Sequence, residues 1–219
     1  MTLRYERRGP DAPERLVIFL HGYGANGADL IGLADPLAEH MPGTAFLAPD
    51  APEASTANPA GLQWFPIPWI DGSSEEEAAA GMERAVADLD AFLDETLARE
   101  GVAAKDVVLA GFSQGCMMAL HVAPRRAEAV AGVVGIAGRL LAPERLADEV
   151  RVRPPVLLVH GDMDDVVPPQ SLPEAAEALE AAGFERIYAH VMKGTGHGIA
   201  PDGLSVALAF MRDVLKLEG

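Results

Sequence analysis

Short apolar runs alternate with stretches of helical period along the whole chain. Residues 15–20, 44–48, 106–110, 130–136, 155–160 and 186–192 are rich in Val, Ile, Leu and Ala with few interruptions. Runs of this length and composition predict strands buried on both faces, as in a parallel sheet. A weaker edge strand is predicted over residues 3–7. Between the runs, Ser74-Glu75-Glu76-Glu77 has the form of a capping box. Met82, Val86, Leu89, Leu93 and Leu97 then recur every three or four residues, and Gly101 stands where that helix should stop. Residues 169–182 and 201–217 predict two further helices, and 28–39 a shorter one weakened by Pro36. Strands alternating with helices predict an α/β fold: a mostly parallel central sheet with helices on both faces. No repeat, low-complexity tract or linker divides the sequence, so a single domain over 1–219 is expected, with no large lid domain.

One stretch departs from the alternation. Residues 49–73 hold five prolines together with Trp64, Phe65 and Trp69. A connection this long inside a compact domain is usually functional.

Composition narrows the function classes. Hydrophobic residues make up 49% of the 219 positions and charged ones 23%, ordinary for a globular protein. The formal net charge of −16 disfavours nucleic acid and anionic membrane surfaces as partners. A single cysteine, Cys116, excludes an internal disulfide. The first ten residues carry charges but no apolar segment behind them, and residues 16–20 are too short to span a bilayer, so no stable membrane insertion and a cytoplasmic location are expected. Oligomeric state is not readable.

The chemistry centres on Gly111-Phe112-Ser113-Gln114-Gly115, between the run at 106–110 and an apolar, helix-compatible stretch at 116–122. Strand, Gly-x-Ser-x-Gly turn, helix is the nucleophile elbow of α/β-hydrolases. Such a turn lifts Ser113 above the sheet edge at the positive end of the next helix, and glycines remove the collisions that so tight a bend would cause. A serine hydroxyl needs a base, and the base an anionic partner, in the chain order serine, acid, histidine. His197, in Gly194-Thr195-Gly196-His197-Gly198, follows the last strand and fits the base. His121, His190 and His40 fall on helices or strands away from that rim. His21 and His160 begin loops on the correct rim and read as hydrogen bonders that shape them. The acid lies in Asp162-Met163-Asp164-Asp165, and spacing alone does not choose among Asp162, Asp164 and Asp165. That run lacks the glycine and distal glutamate of a calcium loop, so no metal site is read there. An oxyanion hole requires the amide of Gln114 and a second donor from His21-Gly22-Tyr23-Gly24, where the Tyr23 amide fits. Gly22-x-Gly24-x-x-Gly27 also has dinucleotide-loop spacing but lacks the ribose-binding acid that would support it.

Together, His21-Gly22-Tyr23-Gly24, Gln63-Trp64-Phe65, the elbow, His160-Gly161-Asp162-Met163-Asp164-Asp165-Val166-Val167-Pro168 and Gly196-His197-Gly198 resemble the phospholipase/carboxylesterase family of α/β-hydrolases, over nearly the whole chain. The resemblance implies the α/β-hydrolase fold, the second aspartate of the His-Gly-Asp-x-Asp segment, Asp164, as triad acid, and no cofactor. It implies a small-molecule ester substrate and a serine carboxylesterase, with acyl-thioesterase or lysophospholipase activity as the alternative. A non-catalytic ligand-binding homologue is the rival from another class. Many members follow Trp-Phe with aspartate, whereas this chain has Pro66, then Pro68 and Trp69. That departure points to a differently shaped acyl loop, short enough to favour small or medium acyl groups, with Trp64, Phe65 and Trp69 lining the substrate pocket.

Overall fold

The computed structural model describes residues 3–217. Its strands are β1 (Tyr5–Arg8), β2 (Arg15–Leu20), β3 (Thr44–Pro49), the short pair β4 (Glu53–Ala54) and β5 (Leu62–Gln63), β6 (Val107–Phe112), β7 (Gly132–Ile136), β8 (Val156–Gly161) and β9 (Ile187–Met192). The helices are α1 (Gly27–Ile31), α2 (Ala34–Ala38), α3 (Pro68–Asp71), α4 (Glu75–Glu100), α5 (Gln114–Val122), α6 (Pro143–Glu149), α7 (Ser171–Ala181) and α8 (Pro201–Val214). Seven strands form one sheet in the order β1-β3-β2-β6-β7-β8-β9. β1 runs antiparallel to β3 and every other neighbouring pair is parallel.

The apolar runs are explained by the two faces. On β2, Leu16, Ile18 and Leu20 point into a core shared with α4, α5 and α7, where Leu89, Met118 and Leu179 pack. Val17 and Phe19 point to the opposite face, against Ile31 and Leu37 of α1 and α2 and Phe210 and Met211 of α8. Side chains alternate across a strand, so burial on both faces requires every position to be apolar. Among the described residues no helix is long and apolar enough to cross a membrane.

The capping box forms as expected: Glu77 N donates to Ser74 Oγ at 3.1 Å and Ser74 N to Glu77 Oε2 at 2.8 Å. Gly101 ends α4 in the left-handed region at φ 68°. The buried stripe of α4 is rotated from the expected one, centring on Ala85, Leu89, Phe92 and Thr96, with Met82, Val86 and Leu97 at its margin.

The single helix expected over 28–39 is instead two. The break falls at Gly32-Leu33, not at Pro36, which sits in the first turn of α2 where its missing N–H has no helical acceptor to lose. Asn26 and Asp29 form a second capping box at the start of α1. Within 49–73, β4, β5 and α3 are ordered elements the apolar pattern does not announce.

One buried group carries a pH signature. His121 in α5 is buried, and its Nδ1 has no hydrogen-bond partner among the described residues. Burial first, then the nearby Arg125, push its pKa from 6.5 down to about 4. Between those values the unfolded chain holds a proton that the native protein refuses, so stability present above pH 6.5 is lost as pH falls toward 4. Urea unfolding of wild type and His121→Gln checks this: from pH 7 to pH 5 the balance should move toward the variant by about 2 kcal/mol.

Candidate active site

At the C-terminal end of β6 the chain must reverse from strand to helix within one residue. Ser113 does so at φ 54° and ψ −116°, a conformation a side chain adopts only under strain. Its amide donates to the Ile136 carbonyl at 2.8 Å, which fixes the turn to β7. The flanking glycines are steric necessities. A Cβ at Gly111 would sit 2.2 Å from the Gly115 carbonyl oxygen, and one at Gly115 would sit 1.9 Å from that of Leu20. Both obstacles are backbone, so neither can swing away. Gly115→Ala should therefore lower unfolding stability by about 3 kcal/mol, read from urea denaturation.

The loops at the same rim bring the other groups to Ser113. After β9 the chain turns through Gly194 and Gly196, and the 195–196 backbone packs so closely on Gly161 that a Cβ there would lie 2.2 Å from the Thr195 carbonyl. This seats His197 over the elbow, with Ser113 Oγ 3.0 Å from its Nε2. The Nδ1 lies 2.8 Å from Asp164 Oδ2. An ionised carboxylate can only accept, so Nδ1 carries the proton and donates to it, leaving Nε2 to accept from the serine hydroxyl. The Phe112 ring, 5.0 Å from the imidazole centroid, packs against its side.

Asp164 is the carboxylate the loop turns inward, while Asp162 and Asp165 remain exposed. Asp164 Oδ1 accepts from the Val166 and Val167 amides, each at 2.9 Å. Burial opposes its charge, but the hydrogen bonds from His197 and those two amides outweigh burial and hold the carboxyl below its ordinary range. His160 Nε2 reaches the Val167 carbonyl at 2.9 Å and lies 3.2 Å from Asp164 Oδ2, so it also braces this turn. Asp162 instead accepts from the Gly194 amide at 2.7 Å, tying the acid loop to the histidine loop.

The turn after β2 lies directly against the elbow: a Cβ on Gly22 would meet the Ser113 Cβ at 3.2 Å. Neither the Tyr23 nor the Gln114 amide donates to a protein acceptor among the described residues. The turn is braced on its far side. His21 receives the Ala51 amide on Nε2 at 3.0 Å and donates from Nδ1 to the Gly22 carbonyl at 2.8 Å. Burial lowers its pKa, which favours the neutral ring that pattern needs. Gly24 and Ala25 exchange hydrogen bonds with Leu62, so the 49–73 segment is a strap that holds the turn. The Tyr23 hydroxyl donates to Asp71 Oδ2 at 3.2 Å.

The aromatic expectation is corrected in one position. Trp64 does not line an open pocket: it is fully buried, its Nε1 donating to the His21 carbonyl at 2.9 Å. It anchors the strap in the core. The Gln114 side chain completes the clamp, accepting from Trp64 N at 2.9 Å and donating to the Phe65 carbonyl at 2.7 Å. A glutamine inside the elbow was the available signal for this second role. Phe65, itself largely buried, and Trp69, 63% exposed, line a cleft of about 200 Å³. Cys116 is buried against β7, and burial pushes its thiol up to about 12, which leaves it unreactive. Among the described residues no group of three or more His, Cys, Asp or Glu side chains is arranged to hold a metal.

Comparison with known proteins agrees with this architecture. The chain is 29% identical to acyl-protein thioesterase 1 of Saccharomyces cerevisiae over 211 residues, covering 91% of this chain and 92% of that one. It is 27% identical to esterase YpfH of Escherichia coli, covering 94% and 85%. The crystal structure of esterase PE8 superposes with a TM-score of 0.92 at 40% identity, covering 98% of this chain and all of that one. The family profile described as phospholipase/carboxylesterase matches residues 7–215. Since that match runs from β1 to the turn after α8 and takes in the elbow with both loops around it, the chain belongs to the phospholipase/carboxylesterase family of α/β-hydrolases.

Proposed function

We propose that this protein is a serine carboxylesterase that cleaves esters of small or medium acyl groups through an acyl-enzyme. The observation that carries the reading is the hydroxyl–imidazole–carboxylate relay, with contacts of 3.0 and 2.8 Å. Ser113 Oγ attacks the ester carbonyl carbon while its proton passes to His197 Nε2. Asp164 orients the imidazole and offsets the positive charge it gains. The carbonyl oxygen becomes an oxyanion, received by the Tyr23 and Gln114 amides. His197 then protonates the departing alkoxide, and water repeats the steps on the acyl group. No metal or cofactor enters any step.

Phe65 and Trp69 form the apolar wall for the acyl group, and the modest size of their cleft favours short and medium chains. The yeast relative's name supports a second reading, cleavage of thioesters, because the same relay and oxyanion donors serve a sulfur leaving group. Pre-steady-state kinetics with p-nitrophenyl acetate test the mechanism. A burst of one p-nitrophenolate per protein is expected wherever deacylation is slower than acylation, and a trapped acyl group should be found on Ser113. A burst with the acyl group trapped on a residue other than Ser113 would count against it. A matched panel of esters, thioesters and lysophospholipids ranks the substrate classes.

A further inference from the structure

The rim beside the nucleophile carries a cation that the relay does not use. β7 ends at Ile136, and the chain continues through Ala137 at φ 51°. At Gly138, a Cβ would lie 2.7 Å from the Ser113 carbonyl oxygen and 2.5 Å from the Cys116 Cβ. Arg139 follows at once, so its side chain starts next to the elbow. Its guanidinium carbon rests 4.9 Å from the centre of the Trp69 ring, and it joins none of the ion pairs among the described residues.

Two clefts meet at this contact. The first, about 200 Å³, is walled by Phe65, Ile67, Trp69 and Met82, with Arg139 and Leu141 at one end. The second, about 330 Å³, is walled by Leu140, Leu141 and Pro143 and by Ser171, Glu174 and Ala175 of α7, again with Arg139. The first cleft is tied to the elbow through two of its lining residues: the Phe65 carbonyl accepts from the Gln114 side chain, and Arg139 follows the Gly138 that packs on Ser113. The second adjoins it at Arg139.

We propose that the Arg139–Trp69 stack is a gate on the acyl path that sets the chain length this enzyme accepts, an inference that rests on the esterase reading above. With the stack closed, the first cleft holds a short or medium acyl group. When Arg139 swings off the ring the two clefts join, and a longer chain continues into the second. The gate is soft: an exposed cation–ring contact is worth only about twofold to fivefold in an equilibrium, and among the described residues no carboxylate is ion-paired with the guanidinium.

The test compares kcat/KM for p-nitrophenyl butyrate and p-nitrophenyl decanoate on wild type, Arg139→Ala and Arg139→Lys. Each methylene newly taken from water is worth about fourfold in affinity. Arg139→Ala removes only the cost of opening the stack, so it should raise the decanoate-to-butyrate ratio about fivefold, mainly through a lower KM for decanoate. Arg139→Lys keeps a cation over the ring and should stay within about twofold of the wild-type ratio. An unchanged ratio in Arg139→Ala, or equal losses on both esters, overturns the gate while leaving the esterase reading intact. A wild-type protein that turns over neither ester overturns both.

Discussion

Ser113→Ala should lower kcat for p-nitrophenyl acetate by about 10⁴- to 10⁶-fold, the range expected when a serine hydrolase loses its nucleophile but keeps its oxyanion donors and binding surface. The substitution deletes one oxygen, the atom 3.0 Å from His197 Nε2. Nothing else at the elbow should move. Alanine is as strained as serine at φ 54°, and the Gly22 contact is to the Cβ that alanine retains. The thermal midpoint should therefore change little, within about 1 kcal/mol of wild-type stability. A large loss of activity together with unchanged melting separates chemistry from folding. Wild-type turnover by the variant would remove Ser113 from the reaction.

The second large effect distinguishes Asp164 from Asp162. Asp164→Asn preserves shape but reverses a donor. Its amide oxygen would stay with the Val166 and Val167 amides, which need an acceptor, and so turn the NH₂ toward His197 Nδ1. Nδ1 would then have to accept, which places the ring proton on Nε2, facing Ser113. A base that already carries its proton cannot take another, and a loss of about 10⁴-fold in kcat is expected with little change in KM. Asp162→Asn makes the contrast: its oxygen accepts only the Gly194 amide and it sits near Lys193, so the loss should stay below about tenfold. Equal losses in the two variants would mean that loop shape, not the relay, carries the effect.

How much of this was legible in the sequence depends on how local the cause is. Residues 15–20 read as a strand because both faces of β2 are buried, which leaves no polar position to blur the pattern. The elbow was legible because its glycines answer collisions with atoms nearby in chain or fold. Ser74 and Glu77 announced α4 because a capping box lies within four residues. Asp164 was not separable from its neighbours by spacing, since what marks it out is its contact with His197, 33 residues away in the chain; the family resemblance supplied the choice. Trp64 was misplaced for a similar reason. A tryptophan in a proline-rich loop looks the same whether its ring faces substrate or the His21 carbonyl, and that difference is fixed by Gln114, 50 residues away. β4, β5 and α3 escaped notice because they are two to four residues long and lack a periodic apolar face: β5 is held by Gly24 and Ala25, β4 by β5, and α3 by the Tyr23–Asp71 bond. Arg139 carried no signal beyond its place after β7.

The account rests on one activated hydroxyl, and a fluorophosphonate reads it directly, since only a serine with a base in contact reacts at a useful rate. Mass spectrometry of the intact protein and its peptides after labelling should find one phosphonyl group per chain, on Ser113, formed in step with the loss of esterase activity. Asp164→Asn should be labelled far more slowly, and Ser113→Ala not at all. A protein that goes on hydrolysing esters with Ser113 unmodified, or that takes the label on a different residue, would contradict it.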